Sequence, residues 1–240
     1  VDIENGTFWK PAFRSSLIDA KIDQMVAAGI HITIAGNNNY EVQYNYSDDV
    51  NDNYNDFFSR PSYNGGAAIY YHRGSSPRAS TVKGGEIIVA NIGVTEHNNK
   101  EVLSGSSACG EAMDISAPGT NITSSYCTSG VGTSDYPADP NFKIKSISGT
   151  SMAAPQVCGV GALYLQNEPN LTPAELKSKL IHDSKLGLIH DVPSWDQRDL
   201  DKYHSFLLDP ERGLFGAPNR VLYNRFVGDV FVQYVTSGGD

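Results

Sequence analysis

Apolar positions along this chain gather into short runs with two different periods, separated by long polar stretches. Leu17, Ile18, Ile22, Met25 and Val26 recur at three- to four-residue spacing. That spacing predicts a helix over residues 15–28, capped by Ser15 or Ser16 and closed by Gly29. Ile30-His31-Ile32-Thr33-Ile34-Ala35 follows as a compact β-rich run, and residues 86–92 form a second. Val157, Val160, Leu163 and Tyr164 mark another helix over 157–167, which Gly159, Gly161 and Ala162 keep slim enough to be buried. Thr172-Pro173-Ala174-Glu175 is a capping box with proline at the first helical position, opening a helix that turns Leu176, Leu180 and Ile181 inward. Helix, tight turn and buried strand in succession are the repeating unit of a parallel α/β sheet.

The polar stretches are equally informative. Residues 40–83 are rich in Asn, Asp, Tyr, Ser and Gly and carry no convincing period, so they read as an insertion. Residues 129–141 read as a Gly/Asp/Pro loop, 143–147 as a lead into the next motif, and 191–209 as a polar stretch. Phe226 to Val235 alternates apolar and polar positions, as a terminal strand does.

A chain of 240 residues can bury a sizeable core, and one domain over 1–240 is expected. Within it, 14–39 is a helix–strand unit, 40–83 the insertion, 84–190 the core and 191–240 a C-terminal segment. The net charge of −9 argues against nucleic-acid or anionic-membrane partners. No apolar run is long enough to cross a bilayer. Cys109 and Cys127 can pair across loops, while Cys158 reads as a small core filler. The sequence begins Val1-Asp2-Ile3, without methionine or signal peptide, which suggests a processed product or a segment of something longer.

The chemistry concentrates in Ser148-Gly149-Thr150-Ser151-Met152-Ala153-Ala154-Pro155, directly before the 157–167 helix. A serine hydroxyl needs a base within reach and a dipole facing it, and a helix N-terminus supplies the dipole. Gly149 allows a sharp turn and close approach to a substrate, and Pro155 costs little if it lies in the first helical turn. A short Gly-Thr-Ser is ordinarily just a helix cap. The seven-residue string Gly149 to Pro155 resembles the nucleophile motif of the subtilisin-like serine proteases, and the resemblance makes Ser151 the nucleophile, with Thr150 as support for the oxyanion.

Four further stretches carry the same resemblance in the family's order. Ala35-Gly36-Asn37 ends the first strand, where α/β sheets bind ligands. It resembles the family's oxyanion asparagine turn, which implies that Asn37 donates to the tetrahedral intermediate and that Ala35, Gly36 and Gly149 border the substrate. Ser104-Gly105-Ser106-Ser107 and Ala117-Pro118-Gly119 resemble two of its loops. Gly216 to Asn224 resembles the closing segment of proteinase-K-like members. The implied fold is the C-terminal half of a doubly wound, mostly parallel subtilisin-like sheet with a long polar insertion.

In that family the triad aspartate and histidine precede the part that aligns here. His31, His72 and His97 lack the catalytic histidine's local context, the first lying in a strand and the others in loop-like stretches. Two functions remain open. One is a serine endopeptidase whose aspartate and histidine come from an upstream segment or partner chain, acting on polypeptides and located outside the cell or in an assembly. The other is a non-catalytic structural or binding subunit that keeps the fold. No cofactor is required. Structural calcium is an option in the acidic run 48–56, although Arg60 stands where an EF-hand needs its closing acid.

Overall fold

A computed structural model describes residues 2–4, 7–10, 15–38, 57–60, 69–72, 85–127, 132–191 and 213–226. Its centre is a six-stranded sheet built from β3 (Ile32–Ala35), β6 (Glu86–His97), β7 (Lys100–Leu103), β8 (Ile115–Pro118), β12 (Lys185–Leu186) and β13 (Arg220–Val221). The order runs β12-β13-β8-β6-β3, with β7 also paired to β6. β3, β6, β8 and β13 are mutually parallel, in registers that set Ile34 beside Ile88 and Val89 beside Ile115. β12 and β7 join antiparallel. The β6–β7 connection turns at Asn98 and Asn99, whose φ values of 51° and 60° suit a two-residue hairpin.

Alternation along β6 fills both faces of the sheet. Ile87 and Val89 join Ile115 and Ala117 beneath α2 (Thr150–Asn167) and α3 (Pro173–Asp183). Ile88 and Ala90 face the opposite side, against Met113, Cys109, Ile189 and Leu214. Burial on both faces is why 87–90 reads as a continuous apolar run, while Glu86 and Asn91 are buried polar positions of the same strand. α1 (Ser16–Ala27) contributes Ile22 and Val26, packed on Ile32 and Ile34. Lys177 on α3 reaches the sheet, pairing with Asp114 at 2.8 Å and donating to the Glu86 carbonyl at 2.8 Å.

Two smaller sheets stand apart from this core. β9 (Ile122–Tyr126), β10 (Ser134–Tyr136) and β11 (Asp139–Ile147) form an antiparallel sheet, so the loop expected over 129–141 is largely a hairpin. Its side chains are mostly exposed on both faces, which removes the apolar alternation that betrays a strand. β1 (Asp2–Glu4), β2 (Thr7–Lys10), β4 (Phe57–Arg60) and β5 (Ile69–His72) form the other. Two strands therefore lie within the stretch that shows no period. His72 ends β5 and His97 ends β6, so neither is in a loop.

Several side chains face differently from expectation. Leu17 and Ile18 are exposed, because only the Ile22/Val26 stripe of α1 touches the sheet. Cys158 is exposed, and so are Gly159 and Ala162; the buried line of α2 runs through Ala154, Val157, Gly161 and Tyr164. Gly161 alone of these small residues is pressed by a neighbour, Leu176. Cys109 and Cys127 are both free thiols, since the first is sealed in the core and the second lies exposed past β9. The acidic run 48–56, the 192–209 stretch and the alternating 227–235 lie outside the described residues.

β3 forms one edge of the main sheet, pairing only with β6 among the described residues. Beside it runs an apolar groove of about 100 Å³, bordered by His31, Ile32, Val157, Cys158, Ala162 and Leu165. His31 Nδ1 is buried there without a hydrogen-bond partner among the described residues.

Candidate active site

The carboxyl ends of β3 and β8 deliver two turns to the N-terminus of α2. After Ala35, which packs against the α2 side of the core, Gly36 donates its N–H to the Val89 carbonyl at 2.9 Å. A Cβ on Gly36 would meet Met113 Sδ at 2.5 Å and that carbonyl at 2.9 Å, so a side chain has no room in this turn. Asn37 then takes φ 95°, a region asparagine tolerates better than most residues. Its carbonyl accepts the Ala108 N–H at 2.9 Å, and its side-chain oxygen accepts the following N–H, from Asn38, at 2.6 Å. The oxygen end of the amide is thereby held on its own turn.

The second turn is seated underneath. β8 ends at Pro118, and the Gly119 carbonyl accepts the Gly149 N–H at 2.8 Å. Ser148 Oγ accepts from the Asn121 N–H at 2.9 Å. Gly149 sits at φ 154°, with the Asn38 amide 3.2 Å from where its Cβ would be, so a non-glycine residue there would be strained and crowded. Thr150 is fully buried. Its N–H and Oγ1 both donate to Asn38 Oδ1, at 2.8 and 3.1 Å. A backbone N–H can only donate, which fixes the oxygen end of the Asn38 amide toward Thr150.

A helix leaves its first N–H groups without helical partners. Here Gly149 N–H goes to Gly119, Thr150 N–H to Asn38, and the Met152 and Ala153 N–H groups to the Gly149 carbonyl at 2.9 and 3.3 Å. The Ser151 N–H meets no acceptor among the described residues, and the Ser151 side chain is exposed beside it. Positive potential at the end of an 18-residue helix is thus focused on one free donor. Pro155 lies in the second turn rather than the first, so it offers no N–H to the Ser151 carbonyl.

The turns that carry the six residues singled out in the sequence, Ala35, Gly36 and Asn37 on one and Gly149, Thr150 and Ser151 on the other, therefore meet where Asn38 contacts Gly149 and Thr150. Asn38 and Gly119 join them. Asn38 was visible only as the second asparagine of Asn37-Asn38-Asn39, and nothing local marks it as a link across 112 residues. No histidine among the described residues bonds Ser151, and none of the described residues group as three His, Cys, Asp or Glu able to hold a metal ion.

A model of the subtilase family matches residues 4–207. Subtilisin-like protease 8 of Arthroderma benhamiae is 28% identical over 190 residues, which cover 75% of this chain and 29% of that protein. The extracellular serine proteinase of Thermus sp. (strain Rt41A) is 33% identical over 119 residues, covering 50% and 26%. The crystal structure of a cold-adapted subtilisin-like serine proteinase superimposes with a TM-score of 0.50 at 22% identity, covering 88% of this chain and 50% of that one. The chain thus spans less than a third of the length of these curated relatives. With a family model matched over most of its length and a mostly parallel α/β sheet of the same fold, this chain belongs to the subtilase family.

Proposed function

We propose that this chain supplies the nucleophile and the oxyanion donors of a serine endopeptidase. One observation carries the reading. The first turn of α2 has its N–H groups paired except that of Ser151, whose hydroxyl is exposed at the same point. In acyl transfer Ser151 Oγ attacks the scissile carbonyl while a histidine accepts its proton. The oxyanion that forms takes hydrogen bonds from the Ser151 N–H and from Asn37 Nδ2. Thr150, locked beneath, holds the turn that aims the first of these donors. Gly149, Gly36 and Ala35 border the space where the substrate backbone would run.

The histidine, with the aspartate that orients it, comes from a separate segment or partner chain. The edge of β3 left unpaired among the described residues and the apolar groove beside it suit such a partner, since an added strand would satisfy the edge and apolar side chains would cover the groove. The substrates are polypeptides, and the site of action is extracellular, as the name of the Thermus relative says of that protein. Structural calcium in the 40–83 insertion is compatible with the family.

Fluorophosphonate labelling of the native, unfractionated protein, with peptide mapping, tests this. Label on Ser151 requires a histidine and an aspartate in reach. Absence of label, beside a control protease that labels, leaves the non-catalytic scaffold as the function.

A further inference from the structure

We propose that Asn38 is a positioning residue that couples the two oxyanion donors, an inference that rests on the peptidase reading above. Asn37 and Ser151 belong to turns far apart in sequence, yet both donors must point at one oxygen. Asn38 Oδ1 bridges the two turns, taking both the N–H and the hydroxyl of Thr150. At its other end Asn38 is tied to Asn37, donating its own N–H to the Asn37 side-chain oxygen. One residue therefore sets the rotamer of the first donor through its backbone and the position of the second through its side chain. Thr150 is fully buried, so in the intact protein both of its donors depend on the Asn38 oxygen. Gly149, packed 3.2 Å from the Asn38 amide, leaves the space that lets the link close. Asn38 itself touches no reacting atom. Its effect passes through geometry, where a displacement of about 1 Å costs as much as 100-fold in rate.

The test uses the assembled protein, including the segment that carries the histidine and aspartate, with a chromogenic peptide anilide as substrate. Asn38→Ala is expected to lower kcat by about 10- to 100-fold with KM unchanged. The same variant is expected to lose hydrogen-exchange protection at the Thr150 amide. Asn38→Asp keeps an acceptor oxygen and is expected to restore that protection. Exchange is the readout for this rescue, because the added charge would itself oppose an oxyanion. A wild-type protein that takes no fluorophosphonate at Ser151 sinks the peptidase reading and this inference with it. A protein that labels, but whose Asn38→Ala variant keeps its kcat or its Thr150 protection, overturns this inference alone.

Discussion

The Gly119 carbonyl holds the Gly149 N–H at 2.8 Å, and a Cβ on Gly119 would stand 2.6 Å from the Gly149 oxygen. The same Cβ would lie 2.6 Å from Asn91 Oδ1 and 2.9 Å from the Ala153 methyl. Gly119→Ala therefore pushes on the nucleophile turn from below. We expect a loss of about 1–3 kcal/mol from overpacking, together with a fall in kcat of at least about tenfold. Thermal unfolding and steady-state kinetics on the same preparation check both, and an unchanged kcat would separate the seat from the site.

Gly159 offers the opposite case. It lies in the interior of α2, is exposed, and would find nothing within 4 Å of an added Cβ. Gly159→Ala is expected to stabilise this chain by about 0.5–1 kcal/mol through helix propensity. Denaturant titration of the chain by itself measures it.

Ser151→Ala is expected to abolish labelling and peptide hydrolysis while changing stability by less than about 0.5 kcal/mol, as the side chain is exposed and unbonded. For Asn37 the informative variant is Asn37→Gly, because alanine would be strained at φ 95°. Removal of its amide is expected to lower kcat by about 10²–10³ with little change in KM. A KM effect alone would assign Asn37 to substrate binding.

Asp183 ties the ends of α2 and α3 to the chain's last described residues. It accepts from the Tyr164 hydroxyl at 2.5 Å and from Arg225 at 2.9 Å, and Phe226 packs edge-on against the Tyr164 ring. The Tyr164 hydrogen bond foremost, with help from His182 and Arg225, holds the Asp183 carboxyl at about 2. An unfolded aspartate titrates at about 3.9. The depressed folded value means that the folded state binds its proton less readily. The stabilisation is thus complete above about pH 4 and is lost as pH falls toward 2. Asp183→Asn should flatten the pH dependence of Tm across that window, as measured by thermal scans from pH 2 to 6.

Thiol labelling reports on the covered face. Cys158 and Cys127 are exposed and Cys109 is buried, so a maleimide should modify the first two and spare the third. Binding of the segment that carries the histidine and aspartate is expected to protect Cys158, which borders the groove, and to leave Cys127 reactive. Equal reactivity of both thiols before and after binding would place that segment elsewhere.

How far the sequence could be read follows from what each stretch buries. The 86–92 strand was legible because both of its faces are buried, and the α3 capping box because one local hydrogen-bond pair settles it; the Thr172–Glu175 bonds are present in both directions. The turns at Gly36-Asn37 and Gly149-Ser151 were legible through their resemblance to a family's motifs, and Gly36 and Gly149 stand where a side chain has no room. Cys158 was misread because one helical step separates it from the buried Val157, and α2 is small-residued on both sides. The β10–β11 hairpin escaped because it covers nothing. Asn38 escaped because its meaning lies entirely in a partner 112 residues away.

That span has a consequence for how the protein comes into being. The Ser151 turn rests on Gly119 and Asn38, contributed by the turns that follow two different strands of one sheet. Neither support exists in a growing or half-collapsed polypeptide, since closing such large loops costs entropy that only the finished sheet repays. The Ser151 turn therefore takes its shape only with completed folding, and on the peptidase reading proposed above the nascent chain and its neighbours are not cut during synthesis.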